Sequence, residues 1–128
     1  MSKQIINTEK APAPIGPYNQ AVKAGDLIFV SGQIAIVPAT GELVSGSITE
    51  EAHQVMANLK AILEEATITF EHIVKTTIFL SDMSLFAEVN ALYGSYFNGD
   101  YPARETVAVK GLPKGVNVEI SVVATVSL

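Results

Sequence analysis

Apolar residues recur along this chain with two periods, and the periods divide it into helices and strands. Ala52, Val55, Met56, Leu59, Ile62, Leu63 and Ala66 fall three or four positions apart, which places them on one face of a helix. Glu50, Glu51, Lys60, Glu64 and Glu65 lie off that stripe. Ser47-Ile48-Thr49-Glu50 ahead of it has capping-box spacing, with Thr49 an equally good start. Leu85, Phe86, Val89, Leu92, Tyr93, Tyr96 and Phe97 predict a second amphipathic helix, begun by the cluster at 81–84 and ended by 98–102.

The other apolar stretches alternate or are β-branched, so strands are predicted at 3–7, 19–24, 27–33, 73–80, 105–110 and 116–126. Gly25-Asp26 reads as a tight turn between the second and third strands, and 34–46, with Pro38 and Gly41, as a loop. Three prolines and a glycine between Ala11 and Pro17 exclude helix and central strand there. That extended segment delivers Tyr18 to a fixed place. The order β-β-β-α-β-α-β-β, with no repeat or linker, predicts one α+β domain over residues 1–128. It is a two-layer α/β sandwich, its mixed sheet covered by both helices on one face. Helix-linked strands should run parallel through right-handed crossovers.

The final strand sharpens this picture. Val116, Val118, Ile120, Val122, Ala124 and Val126 make one wholly apolar face, which belongs under the helices. Asn117, Glu119, Ser121, Val123 and Thr125 make the other, which carries a single charge and reads as a subunit interface with a polar pocket at one end. The turn at 111–115 is short enough to make the last two strands an antiparallel hairpin. Symmetrical pairing about Pro113 would set Val107 opposite Glu119 and bring Arg104 into the same neighbourhood.

Composition supports association. Charged residues are 16%, against about 25% in ordinary domains, and mean hydropathy is +0.34. A small domain has much surface per residue, so part of that surface is expected to be covered by further copies. The net charge of −5 argues against a nucleic-acid footprint, which needs clustered lysine and arginine. The chain has no cysteine, which excludes thiolate and zinc–thiolate chemistry. No apolar run is long enough to span a bilayer and no signal-peptide pattern opens the chain, so a cytoplasmic protein is expected.

Two residues carry the candidate chemistry. Arg104 is the only arginine; beside a proline at a strand mouth, its planar fork matches a carboxylate. The alternative is a surface arginine paired with Glu105 or Asp100. Glu119 is a carboxylate in a strand, and a carboxylate converging with the one arginine makes a candidate site. His53 and His72 are not at metal-ligand spacing. Ser31 has no His or Asp partner in the pattern, and a lone serine is not a nucleophile.

Gly16-Pro17-Tyr18, Ser31-Gly32-Gln33, Val89-Asn90, Pro102-Ala103-Arg104 and Val118-Glu119-Ile120 together resemble the signature of the RidA/YjgF family of reactive imine and enamine deaminases, over essentially the whole chain. The resemblance implies a fold like Bacillus chorismate mutase and a homotrimer with clefts at its subunit interfaces. It implies hydrolysis of 2-imino acids, such as 2-iminobutanoate and 2-iminopropanoate, to 2-keto acids and ammonia, with neither metal nor cofactor. Arg104 would anchor the substrate carboxylate and Glu119 would orient the attacking water. Tyr18, Ser31, Gly32, Thr106 and Asn90 would line the site, Gly32 and Thr106 through their backbone. Many family deaminases read Arg-Ser-Cys where this chain reads Arg104-Glu105-Thr106. Strand alternation should turn Glu105 away from the pocket; a Glu105 that paired with Arg104 would instead repel a carboxylate. The rival reading is a non-catalytic keto-acid-sensing protein that uses the same cleft. An RNA-cleaving role, sometimes attached to the family, is disfavoured by the acidic charge.

Overall fold

The computed structural model describes residues 3–128. Six strands form one sheet: β1 Gln4–Ile6, β2 Ala21–Ala24, β3 Leu27–Gln33, β4 Ile73–Leu80, β5 Ala103–Ala108 and β6 Val118–Thr125. Helix α1 spans Ile48–Glu65 between β3 and β4, and α2 spans Phe86–Gly94 between β4 and β5. The sheet order is β1-β2-β3-β6-β4-β5. β4 and β5, joined through α2, pair in parallel. β3 and β4 are each antiparallel to β6, hence parallel to one another. Both helix-linked pairs therefore run as expected, in the α+β sandwich the periodicities predicted.

Helix α1 starts where its polar cap is. The Ser47 hydroxyl accepts from the Glu50 N–H at 3.1 Å, which satisfies a donor the first turn would leave orphaned. Its apolar stripe packs Val55, Met56, Leu59, Ile62 and Leu63 against Ile28, Ile78, Leu80, Val118, Ile120 and Val122 of the sheet. A fully buried aliphatic side chain of this kind contributes about 2 kcal/mol. Glu51 departs from expectation. It lies off the apolar stripe, yet it is buried. Its carboxylate accepts from the Asn117 N–H at 2.7 Å and side-chain amide at 3.1 Å, and from the Val118 N–H at 3.1 Å. A helix is thereby tied to the first residues of β6. α2 is shorter than its apolar pattern: it ends at Gly94, and Ser95 donates its hydroxyl back to the Leu92 carbonyl. Tyr96 and Phe97 pack beyond the helix, in an aromatic cluster with Phe70.

The expected hairpin between the last two strands does not form. β4 lies between β5 and β6, so Phe79 faces both Val107 and Glu119. Burial decides this arrangement. As an edge strand β5 leaves Glu105, Val107 and Ala108 exposed, while β6, whose alternate residues are all apolar, takes a central place with a strand on each side. Val118, Ile120, Val122 and Ala124 lie beneath the helices, as read from the sequence. The opposite sheet face has no helix over it. Ile5, Val22, Phe29 and Val123 lie in register across four strands of that face.

Candidate functional site

The glutamate half of the site is built by a bulge. Val30 pairs with Val122 and Gln33 with Ile120, so Ser31 and Gly32 together oppose Ser121 alone. A bulge bends its strand and frees the extra residue from the ladder. Ser31 is held there by its hydroxyl, which donates to the Asn19 carbonyl at 2.7 Å, and by its N–H, which donates to the Gln20 carbonyl at 2.9 Å. Gln20 is buried and in turn fixes the proline-rich segment. Its amide donates to the carbonyls of Thr8, Ala11 and Pro12, and its side-chain oxygen accepts from the Thr8 N–H. Tyr18 emerges from that segment half-exposed. Buried Asn58 on α1 donates to the carbonyls of Ile34 and Ile36 and fixes the chain beyond β3. The result is a pocket of about 390 Å³ whose polar lining is Tyr18, Gln20, Ser31, Gln33 and Glu119, over an apolar wall that includes Ile15, Ile34 and Ile36. Burial raises the Glu119 pKa above its ordinary value.

The arginine half lies elsewhere. Arg104 pairs with Thr76, whose side chain is fully buried on the helix side. Its guanidinium carbon sits 5.3 Å from the centroid of Tyr93 and 5.8 Å from that of Phe86, both on α2. Two aromatic faces hold the guanidinium by cation–π attraction. The Tyr93 hydroxyl donates to Thr76 Oγ1 at 2.8 Å, which fixes the ring. Burial raises the Tyr93 pKa, with the Thr76 hydrogen bond and the Arg104 charge opposing. Asn90, Tyr93, Gly94, Tyr101, Pro102 and Arg104 enclose about 420 Å³. Glu105 points the other way and pairs with Lys75 at 3.3 Å, as strand alternation required, so it does not neutralise Arg104. Thr106 shares the face of Arg104, and its hydroxyl is buried without a hydrogen-bond partner.

Tyr18, Ser31, Gly32 and Glu119 thus meet in one pocket, and Arg104 and Asn90 in another. The sequence expectation that Arg104 and Glu119 converge within the chain is overturned. Residues in register across a ladder share a face. Arg104 shares that of buried Thr76, whereas Glu119 shares that of Phe79 on the side without helices. The misplaced hairpin caused the error. Sequence reasoning also missed Gln20, Asn58 and the paired rings of Phe86 and Tyr93. A glutamine next to a proline-rich segment and a helix asparagine between Ala57 and Leu59 are the only signals these positions gave. No group of three His, Asp or Glu side chains placed to hold a metal occurs among the described residues.

Comparison with known proteins gives this geometry a context. The family model described as Endoribonuclease L-PSP matches residues 8–126. A RutC family protein of Pyrococcus abyssi is 51% identical over 124 residues, 97% of this chain and 98% of that protein. The mouse protein named 2-iminobutanoate/2-iminopropanoate deaminase is 47% identical over 122 residues, 95% of this chain and 90% of that one. The crystal structure of the Escherichia coli YjgF gene product superposes with a TM-score of 0.90 at 46% identity, covering 95% of this chain and 98% of that one. Sequence motifs, sheet order and these matches agree, and the chain belongs to the RidA/YjgF family.

Proposed function

We propose that this protein hydrolyses 2-imino acids to 2-keto acids and ammonia, at sites completed between copies of the chain. The observation that carries the reading is the division of polar groups between two pockets on opposite sheet faces. Each half lacks what the other holds. Arg104 has no carboxylate partner among the described residues and is held by rings that leave its donors free to bind one. Glu119 has a raised pKa and a roomy pocket beside it. A copy docked on the face without helices would set one chain's Arg104 beside another's Glu119 and would cover Leu27, Phe29 and Val107, which are exposed in a single chain. A homotrimer closes such a heterologous contact.

In the assembled site the Arg104 fork binds the substrate carboxylate. Glu119 takes a proton from water as the water oxygen bonds to the imine carbon. It then gives that proton to nitrogen, and as the carbon–nitrogen bond breaks and ammonia leaves, the hydroxyl proton passes back to the Glu119 carboxylate and the oxygen closes to the keto carbonyl. A carboxyl whose pKa burial has raised is a better proton acceptor and suits both transfers. Tyr18, which lines the same pocket, donates its hydroxyl to substrate or water. The protonated imine is already an electrophile, so the chemistry asks for no added group. The family model carries a nuclease's name, but a chain of net charge −5 offers little to attract phosphates. The test is a competition. An amino-acid oxidase generates 2-iminobutanoate in the presence of semicarbazide, which traps it. The native protein is expected to suppress semicarbazone formation, and Arg104→Ala and Glu119→Ala to lose that effect. A native protein that leaves the trap untouched, while a 2-keto acid still raises its melting temperature, would replace hydrolysis with ligand sensing.

A further inference from the structure

Glu119 has no hydrogen-bond partner among the described residues, yet its side chain has a defined place. A Cβ built on Gly32 would fall on Glu119 Oε2, and would stand 2.8 Å from its Cδ and 3.0 Å from its Cγ. Real carbon contacts do not come so close, so the glutamate occupies the space a side chain at position 32 would fill. Gly32 is not needed for backbone freedom: its φ lies outside the left-handed region that Gly25, Gly41, Gly99 and Gly115 adopt. Only the missing Cβ matters at this position. The bulge supplies the rest: two residues are set against Ser121, the strand bends there, and the Glu119 side chain lies against the Gly32 backbone.

We propose that Gly32 is the positioning residue for Glu119: bulge and absent Cβ together form a slot that lays the carboxyl against the β3 backbone, facing the pocket. This rests on the hydrolytic role given to Glu119 above. The slot also explains why burial alone raises the carboxyl's pKa. Of the residues lining the pocket, Glu119 is the only one with a carboxyl, amine or imidazole side chain. Across the ladder on β4 stands apolar Phe79, and the loop ahead of β6 presents Pro113. The Lys75–Glu105 pair belongs to the far end of the sheet face, where Lys75 opposes Val123.

The obstructed atoms are the outer part of a flexible side chain, so Gly32→Ala should fold and move the glutamate instead. Carboxyl-carbon NMR is expected to show Glu119 titrating closer to its ordinary value in Gly32→Ala than in the native protein. The rate of imine hydrolysis is expected to fall about tenfold to a hundredfold, the effect of a misplacement near 1 Å. Thermal melts provide the second arm. Any loss of melting temperature caused by Gly32→Ala should vanish when Glu119→Ala is already present, because the space is then empty. An unchanged Glu119 titration in a folded Gly32→Ala protein would overturn the proposal. So would an equal melting loss in both backgrounds, which would give Gly32 a purely backbone role. Both readouts stand without turnover, so a native protein that hydrolyses no imine would refute the reaction and leave the slot to be judged on titration and melts.

Discussion

Glu119 shows how one residue's placement sets stability against use. Its folded-state pKa lies above the ordinary value of 4.5, because burial disfavours the ion. The folded protein therefore holds this proton more tightly than the unfolded chain. Its contribution to stability is fully present below pH 4.5 and is lost as pH rises through the raised pKa. Glu119→Gln cannot ionise. It should match the native protein in urea denaturation at acid pH and exceed it near neutrality, while losing hydrolysis. A native protein that is the more stable of the two near neutrality would show that the ionised carboxylate has found a stabilising partner. The sequence could single out Glu119, because one charge on an otherwise uncharged strand face stands out. It gave no warning that Gln20 and Glu51 would be buried. Polar side chains enter a core only where backbone donors and acceptors await them, and those partners lie 12 residues from Gln20 at Thr8 and 66 from Glu51 at Asn117.

Elements were legible where local periodicity determines them, and their neighbours were not. The α1 stripe and the apolar side of β6 each follow from spacing within one segment, and both are observed. Pairing of β5 with β6 was inferred from a short connection, yet the residues around Pro113 form a 3-10 turn and β4 lies between the two strands. Sheet order reflects which strand has a wholly apolar face to bury beneath the helices, and loop length does not measure that. Glu51 makes the α1–β6 junction testable. Its replacement by Ala strands the N–H groups of Asn117 and Val118, and a hydrogen bond to a charged group is worth about 1.5–3 kcal/mol. Glu51→Ala should thus lower unfolding free energy by about 3 kcal/mol, and Glu51→Gln, which keeps one acceptor, by less. Urea titration reads both. A loss under about 1 kcal/mol for Glu51→Ala would mean that water replaces the carboxylate and that the junction is not closed.

At the scale of the whole molecule, the decisive question is whether one chain can supply both halves of a site. Phe79 pairs with Val107 on one side and Glu119 on the other. The backbones of β5 and β6 are therefore about 10 Å apart across β4, and Arg104 stands about 10 Å further along its strand from Val107. Their side chains also leave opposite faces. A substrate of a few heavy atoms cannot bridge that separation around a packed sheet. Two inactive variants should therefore rescue one another. If Arg104→Ala and Glu119→Ala chains are unfolded together in equal amounts and refolded, half the interfaces draw their arginine from a chain that has one. Half of those draw their glutamate from a chain that has one, so about a quarter of sites are whole. Activity near a quarter of the native level should appear in the mixture and be absent from either variant refolded alone. Sedimentation would confirm that both variants still associate. If the mixture stays inactive while mixed assemblies form, arginine and glutamate must meet within a single chain. That would require β5 to leave the edge of the sheet seen here, and the interface site would fall with it.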